Sequence, residues 1–117
     1  MLAESALERC LRRVLGRKTV ELMASNHLPA ALLPYEVGGR SSPGYGFGLG
    51  MRVMMDPAQA QTLGTPGEYG WAGAAGTYFW IDPREDMIGV LMAQHQPGGF
   101  FPIAQDFRVS AYQAIAD

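Results

Sequence analysis

Residues 44–51 read GYGFGLGM, with Gly44, Gly46, Gly48 and Gly50 alternating with Tyr45, Phe47, Leu49 and Met51. Period two is strand spacing, because successive side chains leave opposite faces of a strand. One face of this strand is bulky and the other bare, and a bare face lets another layer come close. A second strong pattern is TYFWIDPREDMIGVLMAQ, where two β-prone runs flank Asp82-Pro83-Arg84-Glu85-Asp86. Aspartate followed by proline suits the first two positions of a type I turn. The reading is a β-hairpin with strands at about 74–81 and 87–94, and Asp82, Glu85 and Asp86 solvated in its turn.

Helical spacing marks the two ends of the chain. Leu7, Cys10, Leu11, Val14 and Leu15 fall at i, i+3, i+4, i+7 and i+8, one apolar stripe of a helix over Ala3–Leu15. A second helix, Lys18 to about Asn26, carries Val20, Met23 and Ala24 and is closed by Pro29. His27–Pro43, with three prolines and paired glycines and serines, reads as a loop, and Ala58–Pro66 as a loop or bulge. After Gly98-Gly99 a last helix is expected, with Phe107, Ala111, Ala114 and Ile115 on one face and Asp106 near its start. The order of helices, about three antiparallel strands and a helix predicts an α+β layout with helices on one face of the sheet.

Composition narrows the class. At 117 residues the chain fits a single domain, 1–117, able to bury a core. Charged residues make up 17% and the net charge is −2, an ordinary globular composition that argues against a nucleic-acid partner. The lone Cys10 cannot form an intramolecular disulfide and reads as a small buried hydrophobe. With one cysteine and two distant histidines there is no metal-ligand spacing. No stretch is long enough to cross a bilayer, and MLAESALERC has acidic residues where a signal peptide has its apolar run. The chain therefore reads as soluble, with the localisation of any longer parent left open. The glycine run is no dinucleotide fingerprint, since Leu49 stands where the third glycine belongs. His27 and His95 lie outside any G-x-S-x-G context and read as residues with local hydrogen bonds.

GYGFGLGMRV, then GEYGWAGAAGTYFWIDPREDMIGVLMAQ, then FRVSAYQAI resemble the C-terminal part of the serine β-lactamase and penicillin-binding-protein superfamily, nearest its class C-like and esterase branch. The resemblance covers about residues 18–117, leaves 1–17 unplaced, and implies a partial β-lactamase/transpeptidase-like fold. In that family a small-residue strand carries the third signature motif, Lys-Thr-Gly or, in the esterase-like branch, His-x-Gly or Trp-x-Gly. The matching residues here are Trp71-Ala72-Gly73. The resemblance implies that these three line the substrate and that the Ala74 backbone N–H is one of two oxyanion-hole donors. Such a donor can matter by roughly 10²–10³-fold in rate. A side chain at Gly73 would then block a substrate lying along the strand edge.

Two departures shape the expectation. Trp71 stands in place of a lysine whose charge would meet a substrate carboxylate, which favours a neutral acyl ester; packing is the other use open to it. The family's nucleophile lies in Ser-x-x-Lys, and none of Ser5, Ser25, Ser41, Ser42 and Ser110 has lysine three residues on. Nor does any tyrosine open a Tyr-x-Asn or Tyr-x-Ser motif. The expectation is the last third of a cofactor-free acyl-serine hydrolase of small acyl substrates (esters or β-lactams), silent unless another chain completes it. The alternative is a non-catalytic assembly module. In either case an open sheet edge would favour a homo-oligomer.

Overall fold

A computed structural model describes residues 14–116. Helix α1, Arg17–Met23, leads into a 3-10 turn at Ala30–Leu32 and a two-stranded ribbon of β1, Glu36–Val37, and β2, Arg40–Ser41. The main sheet follows as β3 Tyr45–Phe47, β4 Arg52–Met54, β5 Tyr69–Ala72, β6 Thr77–Asp82 and β7 Met87–Met92. A short helix α2, Pro57–Ala60, lies between β4 and β5, and α3, Ile103–Gln113, closes the chain. The five strands pair in sequence order and every pairing is antiparallel. The stripe over Ala3–Leu15, with Cys10, lies almost wholly outside the described residues.

The α+β layout holds, with more strands than the pattern predicts. The alternating run 44–51 is a strand only as far as Phe47. The chain then turns, with Gly50 at φ 88°, and returns as β4. A run of alternating glycines keeps period two through a tight turn, so periodicity alone did not mark the reversal. The bare face is used as expected. A Cβ at Gly46 would run into the Asn26 side chain, and one at Gly48 into the Met23 carbonyl. Asn26 Oδ1 accepts from the Phe47 N–H at 3.1 Å and the Leu28 N–H at 3.0 Å, and the His27 N–H donates to the Phe47 carbonyl at 2.8 Å. The chain beyond α1 thus closes the outer edge of β3.

The second apolar pattern gives β6 and β7, which pair from Thr77↔Met92 to Asp82↔Met87. Burial alternates along β6, so that Tyr78, Trp80 and Asp82 face inward. Above them lies α3, with Trp80 5.5 Å from the Phe107 ring and stacked 6.1 Å from Tyr112. Gly89, opposite Trp80, leaves room for the indole, since a Cβ there would lie inside the ring.

Asp82 corrects the expectation of a solvated turn. It is fully buried, its Oδ1 accepts from the Arg84 and Glu85 N–H groups at 3.1 and 3.2 Å, and its Oδ2 accepts from Tyr112. Of the three acidic residues, only Glu85 and Asp86 are exposed. The Asp-Pro turn signal was sound. What it could not report was the helix packed over the turn's first residue. Both histidines make the local bonds expected of them, His27 Nε2 with the Leu22 carbonyl at 2.8 Å and His95 Nδ1 with the Pro97 carbonyl at 3.3 Å.

Candidate functional site

Trp71, Ala72, Gly73 and Ala74 sit at the end of β5 and in the turn that follows. On one side β5 pairs fully with β6, through Tyr69↔Ile81, Gly70↔Trp80, Trp71↔Phe79 and Ala72↔Tyr78. On the other it pairs with β4 only at Tyr69 and Gly70. The Gly73 N–H donates to the Thr77 carbonyl at 2.8 Å, toward β6. Backbone groups alternate edges along a strand, so Ala72 turns its N–H and C=O the other way. No described strand pairs with that edge at Trp71 or Ala72.

Inside the Gly73–Thr77 hydrogen bond the connection to β6 is a three-residue loop, 74–76, closed by a left-handed glycine, Gly76 at φ 88°. The Gly76 N–H donates to the Gly73 carbonyl at 3.2 Å, which aims that carbonyl into the turn. A peptide group is planar and trans, so the N–H of Ala74 on the same plane points outward. It donates to no acceptor among the described residues, and Ala72, Gly73 and Ala74 are all exposed. An outward amide on a turn fixed by hydrogen bonds can donate to an acceptor outside the chain.

The small side chains also have a packing cause. A Cβ at Gly70 would meet the Phe79 carbonyl and Trp80 Cα, and one at Gly73 would meet Thr77 Oγ1. Trp71 is half-buried and sits edge-on to Phe47 at 5.2 Å, which is itself edge-on to Tyr35 at 5.7 Å. Trp71 therefore packs on one side and remains open on the other.

Beside Ala72 lies a cavity of about 260 Å³ whose walls include Arg40, Arg52, Tyr78, Phe101 and Arg108. Arg52 Nη2 donates to the Tyr78 hydroxyl at 2.7 Å, and its guanidinium lies 4.4 Å from the Tyr45 ring centre. Neither Arg40 nor Arg52 forms an ion pair with a carboxylate among the described residues. The sequence reading missed this group, and the available signal was a lone arginine in the otherwise apolar run MRVMM.

Beneath the cavity runs a buried polar network. Arg108 and Glu68, 1% and 3% exposed, pair at 2.5 Å. Arg108 Nε and Nη2 also donate to the Leu63 carbonyl at 3.0 and 2.7 Å. The Tyr112 hydroxyl lies against both Glu68 Oε2 and Asp82 Oδ2, the latter at 2.8 Å. Burial, then these two carboxylate contacts, push the Tyr112 phenol well above its usual range. The network ties α3 to the sheet and holds the cavity floor. Among the described residues no three His, Cys, Asp or Glu side chains gather, and no helix is long and apolar enough to cross a membrane.

Solved structures share this fold over most of the chain. EstCE1, a hydrolase with promiscuous acyltransferase activity, matches with TM-score 0.66 and 26% identity over 81% of this chain and 24% of its own. Simvastatin synthase (LovD) from Aspergillus terreus, in a mutant form, matches with TM-score 0.67 over 92% of this chain and 30% of its own; at 21% identity it speaks to the fold alone. The fold is β-lactamase-like, and the chain forms part of it. Residues 5–113 match the family model described as Beta-lactamase, and the chain belongs to that family. Two curated proteins of Mycobacterium tuberculosis, "Uncharacterized protein MT1414" of strain CDC 1551 / Oshkosh and "Protein Rv1367c" of strain ATCC 25618 / H37Rv, are each 35% identical over 108 residues. That alignment takes in 89% of this chain and 25% of each relative, so the chain spans about a quarter of their length.

Proposed function

We propose that this chain forms the oxyanion-side wall of a β-lactamase-like serine acyl hydrolase or acyltransferase site. The observation that carries the reading is the Ala74 N–H, held outward on a hydrogen-bonded turn at the open end of β5. An acyl carbonyl placed along Trp71-Ala72-Gly73 would accept from Ala74 as negative charge develops on its oxygen. The serine nucleophile, its lysine and the proton-transferring tyrosine would come from outside these 117 residues, so the chain alone is catalytically silent. The hydrolase and acyltransferase activity of EstCE1 supports the acyl-transfer class. The substrate is an acyl ester, neutral where Trp71 replaces the family's lysine. The cavity of Arg40 and Arg52 is the place for any carboxylate carried further along it. Incubating the pure chain with a chromogenic ester and a chromogenic cephalosporin tests this. No turnover above buffer is expected, and clear turnover would refute it.

A second reading, an assembly module, draws on β7. Its outer edge pairs with no described strand, its sequence MIGVLM carries no charge, and Ile88, Val90 and Met92 are exposed. Such an edge invites pairing with a second copy. Light scattering at micromolar concentration decides it, and a monomer would end this reading without touching the first.

A further inference from the structure

The loop after β7 lies against the turn that carries Ala74. Two of its amides reach across: the Gly98 N–H donates to the Ala74 carbonyl at 2.9 Å, and the His95 N–H to the Ala75 carbonyl at 2.8 Å. With Gly76 bonded to the Gly73 carbonyl, three successive peptide planes of the turn are each held by a different donor. The first of these planes carries the Ala74 N–H itself. Gly98 sits too close for any other residue, since a Cβ there would lie 2.5 Å from the Ala74 oxygen and 3.0 Å from its carbonyl carbon.

We infer that Gly98 is a positioning residue for the Ala74 donor: the 95–98 loop clamps the turn from behind and fixes where its outward N–H points. The inference rests on the oxyanion-wall reading above and adds the part that holds the donor still. Preorganisation is what such a donor contributes, because a turn free to rotate its peptides would lose the alignment that makes an N–H effective at a developing oxyanion. The clamp spans residues from two strand ends far apart in sequence, which makes it invisible to any local motif around Trp71-Ala72-Gly73.

Amide hydrogen exchange followed by NMR on the 117-residue chain tests the clamp without a substrate. After correction for intrinsic rates, the Gly98 and His95 amides should exchange about five- to tenfold more slowly than that of Ala74, as befits bonded against unbonded groups in one exposed segment. Equal rates for the three would overturn the inference. Gly98→Ala supplies a second readout. It should move the Ala74 and Ala75 amide resonances while those of β6 and α3 stay in place; an unmoved Ala74 resonance in a folded variant would overturn the inference too. If the variant does not fold, the wild-type exchange rates still decide. None of these readouts involves ester turnover, so a failed clamp leaves the acyl-hydrolase reading standing. Absence of turnover in a completed enzyme would end that reading while leaving the clamp measured.

Discussion

Replacing Arg108 with methionine removes the cation from the most buried ion pair described in the chain. Methionine approximates the length of the aliphatic stem, so the change in packing is small beside the change in polarity. Glu68 keeps its carboxylate at 3% exposure and loses its partner at 2.5 Å. The Leu63 carbonyl loses two donors at 3.0 and 2.7 Å, and the Tyr78 hydroxyl loses one at 3.4 Å. Breaking a buried pair from one side costs about 3–5 kcal/mol, because the remaining charge stays desolvated. Against a total stability of roughly 5–15 kcal/mol, that is a large share. It corresponds to a fall in Tm of at least about 12 °C for a domain of this size. Urea unfolding followed by far-UV circular dichroism gives the free energy, with an unchanged slope expected. Adding Glu68→Gln removes the stranded charge and should recover about 1–3 kcal/mol, the coupling typical of residues in contact. A loss below about 1 kcal/mol for Arg108→Met would refute the claim that this pair anchors α3 to the sheet.

Other consequences follow from the same structure. Tyr112 titrates above its ordinary value of 10.0, chiefly through burial, so the unfolded chain ionises first as pH rises. Its contribution is therefore complete below pH 10 and is lost above it; burial gives Tyr35, Tyr45 and Tyr69 the same sign. Tyr112→Phe should make stability fall less steeply above about pH 10 in urea titrations, and an unchanged slope would contradict this. Asn26→Ala strips two backbone donors of one acceptor and should cost about 1–2 kcal/mol, read as a shift in urea midpoint. Ala74→Pro removes only an unbonded N–H, at the turn position where proline is favoured, and should change stability by no more than about 0.5 kcal/mol by the same measurement.

Much of the fold was legible because it is written in local periodicity. The β6–β7 hairpin and the helix over Phe107 follow from alternation and 3.6-residue spacing. The bare face of the 44–51 run foretold the close approach that Asn26 and Met23 make. What the pattern hid were reversals within a glycine run and burial created by distant elements. Asp82 looked solvated because it opens a hairpin turn; Tyr112, thirty positions away on α3, covers it. The stretch Trp71–Ala74, proposed as a substrate wall, could be singled out from its resemblance to a family motif. The outward direction of the Ala74 N–H could not, because it depends on the Gly73–Gly76 hydrogen bond. The Arg40–Arg52 cavity and the clamp at Gly98 lay further out of reach, since each joins segments far apart in the chain.

The central claim is that this chain supplies an oxyanion donor and no nucleophile. Fusing it to the part of EstCE1 that it does not match would complete a site, and hydrolysis of a chromogenic ester can then be compared with and without Ala74→Pro. Turnover is expected from the fusion and none from the chain alone, with a loss of roughly 10²–10³-fold in kcat on substituting proline. A folded Ala74→Pro fusion that retains full activity would contradict the claim.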